Sequence, residues 1–173
     1  MAEGEAGELR VRGVGVFREY LNKPEATAEA FDEEGWFMTG DIARFDPEVG
    51  SYQILGRASV DIIKSAGYKI SALEVERSIL EHPDVAEVTV VGVEDEKWGQ
   101  RLCAVVRRRD AGPPEPPEAE AAAQAGAWLR EWLAERVAPY RVPSAVVEVA
   151  AIPKNAMGKV NKKAVAAEFF GPP

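Results

Sequence analysis

The chain has 173 residues but only one cysteine, Cys103, and one histidine, His82. An internal disulfide is therefore excluded, and no Cys/His cluster for a metal can be assembled. Cys103 lies in the strand-like run Leu102–Val106, where a buried, inert thiol is expected. His82 precedes Pro83 and is expected to cap a helix end, so a Ser–His–Asp triad has little support. Positive charge is also short: the net charge is −8, which argues against a general nucleic-acid footprint. No apolar run approaches membrane-spanning length, and a soluble protein without a membrane span is expected. The acidic start MAEGEAGEL resembles neither a signal peptide nor an Arg-rich transit peptide. A cytoplasmic or organellar-matrix location, the mitochondrial matrix included, follows as the expectation.

What the chain does have is a hydrophobic content of 46%, enough for one core or a small domain plus part of another. Gly7–Arg12 alternates as an exposed strand does, and Glu25–Phe31 reads as a short helix. Trp36–Thr39, Gly40-Asp41 and Ile42–Phe45 lead to the turn Asp46-Pro-Glu-Val-Gly50, a hairpin signal, with Tyr52–Leu55 as the returning strand. These strands carry too little core to stand alone. From Asp61 the pattern changes: strands Asp61–Lys64 and Tyr68–Ile70 lead into a helix from Ala72 to Glu81. Ser71 and Glu74 have capping-box spacing at its start. That helix is expected to turn Leu73, Val75, Ile79 and Leu80 inward. Val85–Val93 reads as a central strand and Arg101–Arg108 as its neighbour. Residues 110–123 have the Pro-, Glu- and Ala-rich composition of a flexible loop. Trp128, Leu129, Trp132, Leu133 and Val137 recur at helical spacing, Ala145–Val149 is a short strand, and Lys162–Phe170 a last helix. The fold class expected is α+β, a small mixed sheet flanked by helices and preceded by a few antiparallel strands.

Four motifs occur in a fixed order: Thr39-Gly-Asp41, Gly56-Arg57, Lys64-Ser-Ala-Gly67-Tyr-Lys69 and Pro153-Lys-Asn-Ala-Met-Gly-Lys159. Between them stand Glu96-Lys-Trp98-Gly-Gln and Ala138-Pro-Tyr140-Arg-Val-Pro143. Each alone is weak; Asp41 alone reads as a turn residue and Lys159 as a solvated lysine. Together they resemble the C-terminal part of the AMP-forming acyl-CoA synthetases, the adenylate-forming superfamily. The wording of residues 56–76 is similar to the malonyl-CoA and methylmalonyl-CoA synthetase branch.

The resemblance implies a role for each motif. Asp41 would accept hydrogen bonds from the ATP ribose hydroxyls, as a carboxylate facing a cis-diol can, with Arg57 at ribose or phosphate. Lys159 would be the catalytic lysine, its ammonium stabilising charge that builds on the α-phosphate during adenylation. Gly67 would let the pantetheine arm of CoA pass close to the backbone, with Lys64 and Lys69 on the same face. Trp98 and Tyr140 match positions that stack on CoA adenine in some relatives, and Arg141 would meet a phosphate. Mg²⁺ would travel with ATP, needing no ligand from this chain.

Two departures stand out. The segment from Arg57 to Gly67 is one residue longer than in many relatives, so the hinge falls at Ser59, Val60 or Asp61; and Ala66 stands where glycine is common. The Ser/Thr/Gly-rich phosphate loop and acyl pocket of the large domain are absent from these residues. The expected organisation is a large-domain remnant at 1–57, a hinge at 58–61 and a mobile C-terminal domain at 62–173. The expected function is the C-terminal portion of an acid–thiol ligase that uses ATP, CoA and a carboxylic acid, perhaps malonate, inactive without its large domain. The alternative is a non-catalytic CoA- or nucleotide-binding module, or a protein-interaction module.

Overall fold

Two left-handed residues, Ala66 and Gly67 at φ +50° and +84°, fold residues 62–71 back on themselves. They join strands β4 (Ile62–Ser65) and β5 (Tyr68–Ser71) in a two-residue hairpin with Lys64 opposite Lys69. Both left-handed positions match the twist such turns require, and the alanine accepts a strained φ to supply one of them. The computed structural model describes residues 5–109 and 126–171. The loop expected at 110–123 lies outside them. The chain divides into two compact units, Met1–Ser59 and Val60–Pro173.

The first unit is a three-stranded antiparallel sheet in the order β1 (Ala6–Val11), β2 (Phe37–Asp46), β3 (Ser51–Arg57). Helix α1 (Pro24–Ala30) begins on its proline, whose missing N–H costs nothing in the first turn. The β2–β3 connection is the expected turn: Gly50 donates to the Asp46 carbonyl at 2.8 Å with φ +68°. Phe17 packs its ring against Tyr20, Phe31 and Phe37, with centroids 4.8–5.5 Å apart.

The second unit carries the core. Strands β6 (Val85–Asp95) and β7 (Gly99–Arg108) form a long antiparallel pair, and β8 (Ala145–Glu148) runs parallel to β7. β4 meets β7 at Ser65 and Gly99, giving the order β5-β4-β7-β6 with β8 also on β7. The mixed sheet flanked by helices is the fold class expected from the sequence. Three expectations change. The central strand is β7, with partners on both sides, while β6 pairs with β7 alone among the described strands. β6 reads as central because both its faces are covered, and a doubly covered strand is a continuous apolar run wherever it sits in the sheet. Helix α2 (Ala72–Leu80) buries Ala72, Val75 and Ile79, but Leu80 is 46% exposed, one position past the inward stripe. Helix α3 (Ala127–Ala134) ends before Val137.

Two apolar clusters lie on the two faces of the sheet. Leu102, Ala104 and Val106 of β7 point into one, with Ile63, Val75, Ile79, Leu129 and Leu133. Cys103 and Val105 point into the other, with Val91, Ile152 and Val165 of helix α4 (Lys162–Phe170). This is the period-two alternation of a strand between two layers. Burial raises the Cys103 thiol pKa, keeping it protonated as expected. His82 does not cap the helix with its side chain. Its Nδ1 accepts from Asp84 N–H at 3.1 Å, and its ring meets Trp128 and Trp132 edge-on. Both tryptophans pack against the first cluster as core residues. No helix among the described residues is long and apolar enough to cross a membrane.

Candidate functional site

In the first unit, β2 and β3 put Asp41 and Arg57 in register. Arg57 Nε lies 3.2 Å from Asp41 Oδ1, a partly exposed ion pair. Thr39 fixes the approach: its hydroxyl donates to the Leu9 carbonyl at 2.8 Å and accepts from Asp41 N–H at 3.0 Å. Gly40, at φ +74°, turns the backbone between them and accepts from Ala58 N–H at 2.9 Å. Thr39-Gly-Asp41 and Gly56-Arg57, distant in sequence, thus converge on one carboxylate–guanidinium pair. Ser59 ends this unit.

In the second unit the β4–β5 hairpin presents Lys64 and Lys69 as exposed cross-strand partners. Two like charges directly opposite are unfavourable for the pair itself. They concentrate positive charge beside Gly67, where an added Cβ would meet nothing within 4 Å. The hairpin tip is tied to the β6–β7 connection, for Ala66 N–H donates to the Trp98 carbonyl at 2.9 Å. Gln100 Oε1 accepts from Lys64 N–H at 3.0 Å. Trp98 is 46% exposed, with the Lys97 ammonium 4.7 Å from its ring centroid.

Tyr140, on the 3₁₀ turn Pro139–Arg141, stacks face to face on Tyr68 of the hairpin. The centroids are 4.3 Å apart and the planes 2° from parallel, with both rings partly exposed. Tyr68 is the member of this cluster that lay inside a sequence motif without being given a role. Its only signal was an aromatic residue directly after the turn glycine. Arg141 is engaged: its Nη2 lies 3.3 Å from Glu74 Oε2, while Ser71 Oγ accepts from Glu74 N–H at 3.1 Å and caps α2. Among the residues singled out for CoA, the hairpin thus gathers Trp98 on one flank and Tyr140 on the other.

Lys159 lies on a separate loop. Asn155 Oδ1 accepts from both Met157 N–H (3.0 Å) and Lys159 N–H (2.9 Å), and Asn155 N–H donates to the Lys159 carbonyl at 2.9 Å. Gly158 closes the turn at φ +76°, a left-handed position that suits glycine. The Lys159 side chain is exposed and makes no ion pair among the described residues. Its flanking lysines are engaged. Lys154 Nζ lies 2.6 Å from Glu87 Oε2, and the Lys154 hydrogen bond, with Arg107, holds the Glu87 carboxyl below the usual range. Lys162 Nζ lies 2.6 Å from Asp61 Oδ1 and 2.8 Å from Glu76 Oε1. Asp61, singled out as a hinge residue, is thereby tied into the second unit.

The first unit thus carries a carboxylate–guanidinium pair, and the second an exposed lysine on a glycine turn and a cationic hairpin with aromatic neighbours. Residues 74–159 match the AMP-binding enzyme C-terminal domain family. The chain carries the C-terminal domain of the AMP-binding enzymes.

Its curated relatives include malonate–CoA ligases. It is 50% identical over 167 residues to the mitochondrial malonate–CoA ligase of Homo sapiens, covering 96% of this chain and 27% of that protein. The Arabidopsis thaliana malonate–CoA ligase is 44% identical over 165 residues, 91% of this chain and 26% of the relative. Among solved structures, ATP-bound MatB from Rhodopseudomonas palustris matches with TM-score 0.80 at 30% identity, covering 99% of this chain and 31% of that one. The o-succinylbenzoate CoA synthetase of Bacillus subtilis, with its acyl-adenylate intermediate, matches with TM-score 0.78 at 33% identity, covering 95% of this chain and 31% of its own. The chain spans about a quarter of the length of the curated relatives it matches.

Proposed function

We propose that this chain is the C-terminal portion of an AMP-forming acid–thiol ligase with malonate as its acid. A carboxylate and ATP, carried as its Mg²⁺ complex, give an acyl-adenylate and pyrophosphate. The thiol of CoA then displaces AMP to give the acyl-CoA. In the first step Lys159 places its ammonium at the developing negative charge between carboxylate and α-phosphate, where a pre-positioned cation acts most strongly. Asp41 receives the ribose hydroxyls and Arg57 orients it. In the second step Lys64 and Lys69 attract the phosphates of CoA, Gly67 leaves room for its arm, and the adenine meets the aromatic flanks at Trp98 and Tyr140. Residues 1–57 act as part of the large domain, and 62–173 reorient about 58–61 between the steps. Asp61's commitment to Lys162 favours Ser59 as the turning residue. Malonate rests on the relatives' names, and the mitochondrial relatives favour an organellar matrix.

The observation that carries this reading is the Asn155–Lys159 turn, which leaves Lys159 exposed between two lysines held by carboxylates. The test joins this chain to the N-terminal portion of a malonate–CoA ligase relative and measures ATP–pyrophosphate exchange. Lys159→Ala should reduce exchange by ~10²–10³-fold, the scale of losing one transition-state electrostatic contact, without altering thermal unfolding. Exchange retained by Lys159→Ala would reject the assignment. The exposed Tyr68–Tyr140 stack beside Lys64 and Lys69 favours a second reading, a non-catalytic CoA-binding module. Under that reading CoA binds the isolated chain and complementation restores no exchange.

A further inference from the structure

Four lysines fall between Lys154 and Lys163, and they meet different fates. Lys154 is paired with Glu87 and Lys162 with Asp61 and Glu76, whereas Lys159 and Lys163 are exposed. The Lys162 site is the more enclosed. The side chains of Lys162, Asp61 and Glu76 retain only 14%, 12% and 15% of their exposure. An ammonium removed from water to this degree is tolerated only against compensating charge, and here two carboxylates supply it. Neither short approach is aligned as a hydrogen bond, so charge rather than direction holds the ammonium.

Each acid is itself anchored. Glu76 Oε1 also accepts from Val90 N–H on β6 at 2.8 Å, and the Asp61 carbonyl accepts from Ala72 N–H at 2.7 Å where α2 begins. The receptor for Lys162 is therefore built from β6, α2 and the segment leading into β4. Lys162 is the first residue of α4, whose cap Asn161 accepts from Ala164 N–H at 3.2 Å. Backbone and side chain of Lys162 are thus both fixed, three residues after Lys159. On the other flank Lys154 is held by Glu87.

We infer that Lys162 is a positioning residue: the Asp61–Glu76 pair grips its ammonium and so fixes where the Asn155–Lys159 turn presents Lys159. This rests on the reading of Lys159 as the catalytic lysine. The clamp lowers the number of loop arrangements from which the ammonium must be recovered before reaction, the ordinary gain of pre-organisation. Without Lys162 two enclosed carboxylates face each other with no ammonium between them, and the start of α4 loses its attachment to α2 and β6.

Hydrogen exchange on the 173-residue chain tests the clamp directly. Lys162→Met should raise amide exchange over residues 155–161 at least tenfold while β6–β7 amides stay protected, and Lys162→Arg should recover most of that protection. Lys163→Met, which removes the same charge next door, should change neither region. In the complemented enzyme, Lys162→Met should lower the rate of adenylation at least tenfold with KM for ATP within twofold. Acyl transfer to CoA from supplied acyl-adenylate should be unchanged. Should Lys162→Met fail to fold, Glu76→Gln keeps the Lys162–Asp61 pair and should raise loop exchange two- to fivefold. Unchanged loop exchange in folded Lys162→Met or in Glu76→Gln, or an equal loss in both half-reactions, would overturn the clamp. Adenylation that survives Lys159→Ala would instead overturn the catalytic-lysine reading and leave the exchange result standing.

Discussion

The two units of this chain are built on different amounts of interior. Among the described residues of the first, Ala43 and Leu55 are the buried apolar side chains, and Val14, Leu21, Val49, Tyr52 and Ile54 are exposed. The second has an apolar cluster on each face of its sheet, with Val75, Ile79, Val85, Val90, Val105, Val106, Leu129 and Leu133 at 1% exposure or less. A three-stranded sheet can satisfy its backbone hydrogen bonds without enclosing a core, but it then gains little from apolar burial. The first unit's candidate residues accordingly depend on strand register and one threonine. Those of the second stand on a closed scaffold.

Core truncation should separate the units most sharply. Ile79→Ala in the second unit is expected to cost about 3–4 kcal/mol by leaving a cavity, whereas Ile54→Ala in the first should cost under about 0.5 kcal/mol at an exposed position. Chemical unfolding of the two variants measures this, and comparable losses would show that Ile54 is covered in solution.

A smaller effect probes the hairpin. Removing the Tyr68 ring from the Tyr140 stack by Tyr68→Ala should weaken CoA binding by about tenfold, the scale of one base–aromatic stack. Unfolding should change little, because the ring is half exposed. Isothermal titration of CoA against the chain decides it, and unchanged affinity would remove Tyr68 from the candidate site.

The smallest is a pH effect confined to the second unit. Glu87 has its pKa lowered chiefly by the Lys154 hydrogen bond, so its contribution is complete above the usual carboxylate range and is lost as pH falls through the lowered value. Acidification through the lowered value should therefore release Lys154 and reduce the protection factors of the amides in residues 154–159. Glu87→Gln should abolish that pH dependence. Protection factors that stay constant through that acidification would show that the Glu87 pair does not hold the loop.

Much of this arrangement was legible in local chemistry. The Asp46–Gly50 turn, the Ser71 cap, the hairpin about Gly67 and the strand pair ahead of residue 110 all depend on neighbours within a few positions. Leu80 misled because an apolar residue one step beyond a helical stripe looks inward by composition while its angle on the helix faces out. His82 misled because a histidine beside a proline suggests a cap, whereas its ring is claimed by two tryptophans some 50 positions later. Val85–Val93 looked central because apolar continuity reports coverage by helices, not the number of paired edges.

The sequence by itself determined the class of fold, the family and the loop that carries Lys159, since turn glycines, caps and strand periodicity are short-range consequences of side-chain shape and backbone freedom. Only the tertiary structure decided that Tyr68 stacks on Tyr140, that Arg57 meets Asp41, and that Lys162 is enclosed by Asp61 and Glu76. Each of those contacts joins residues 16 to 101 positions apart. Packing of elements, not local preference, brings such partners within reach.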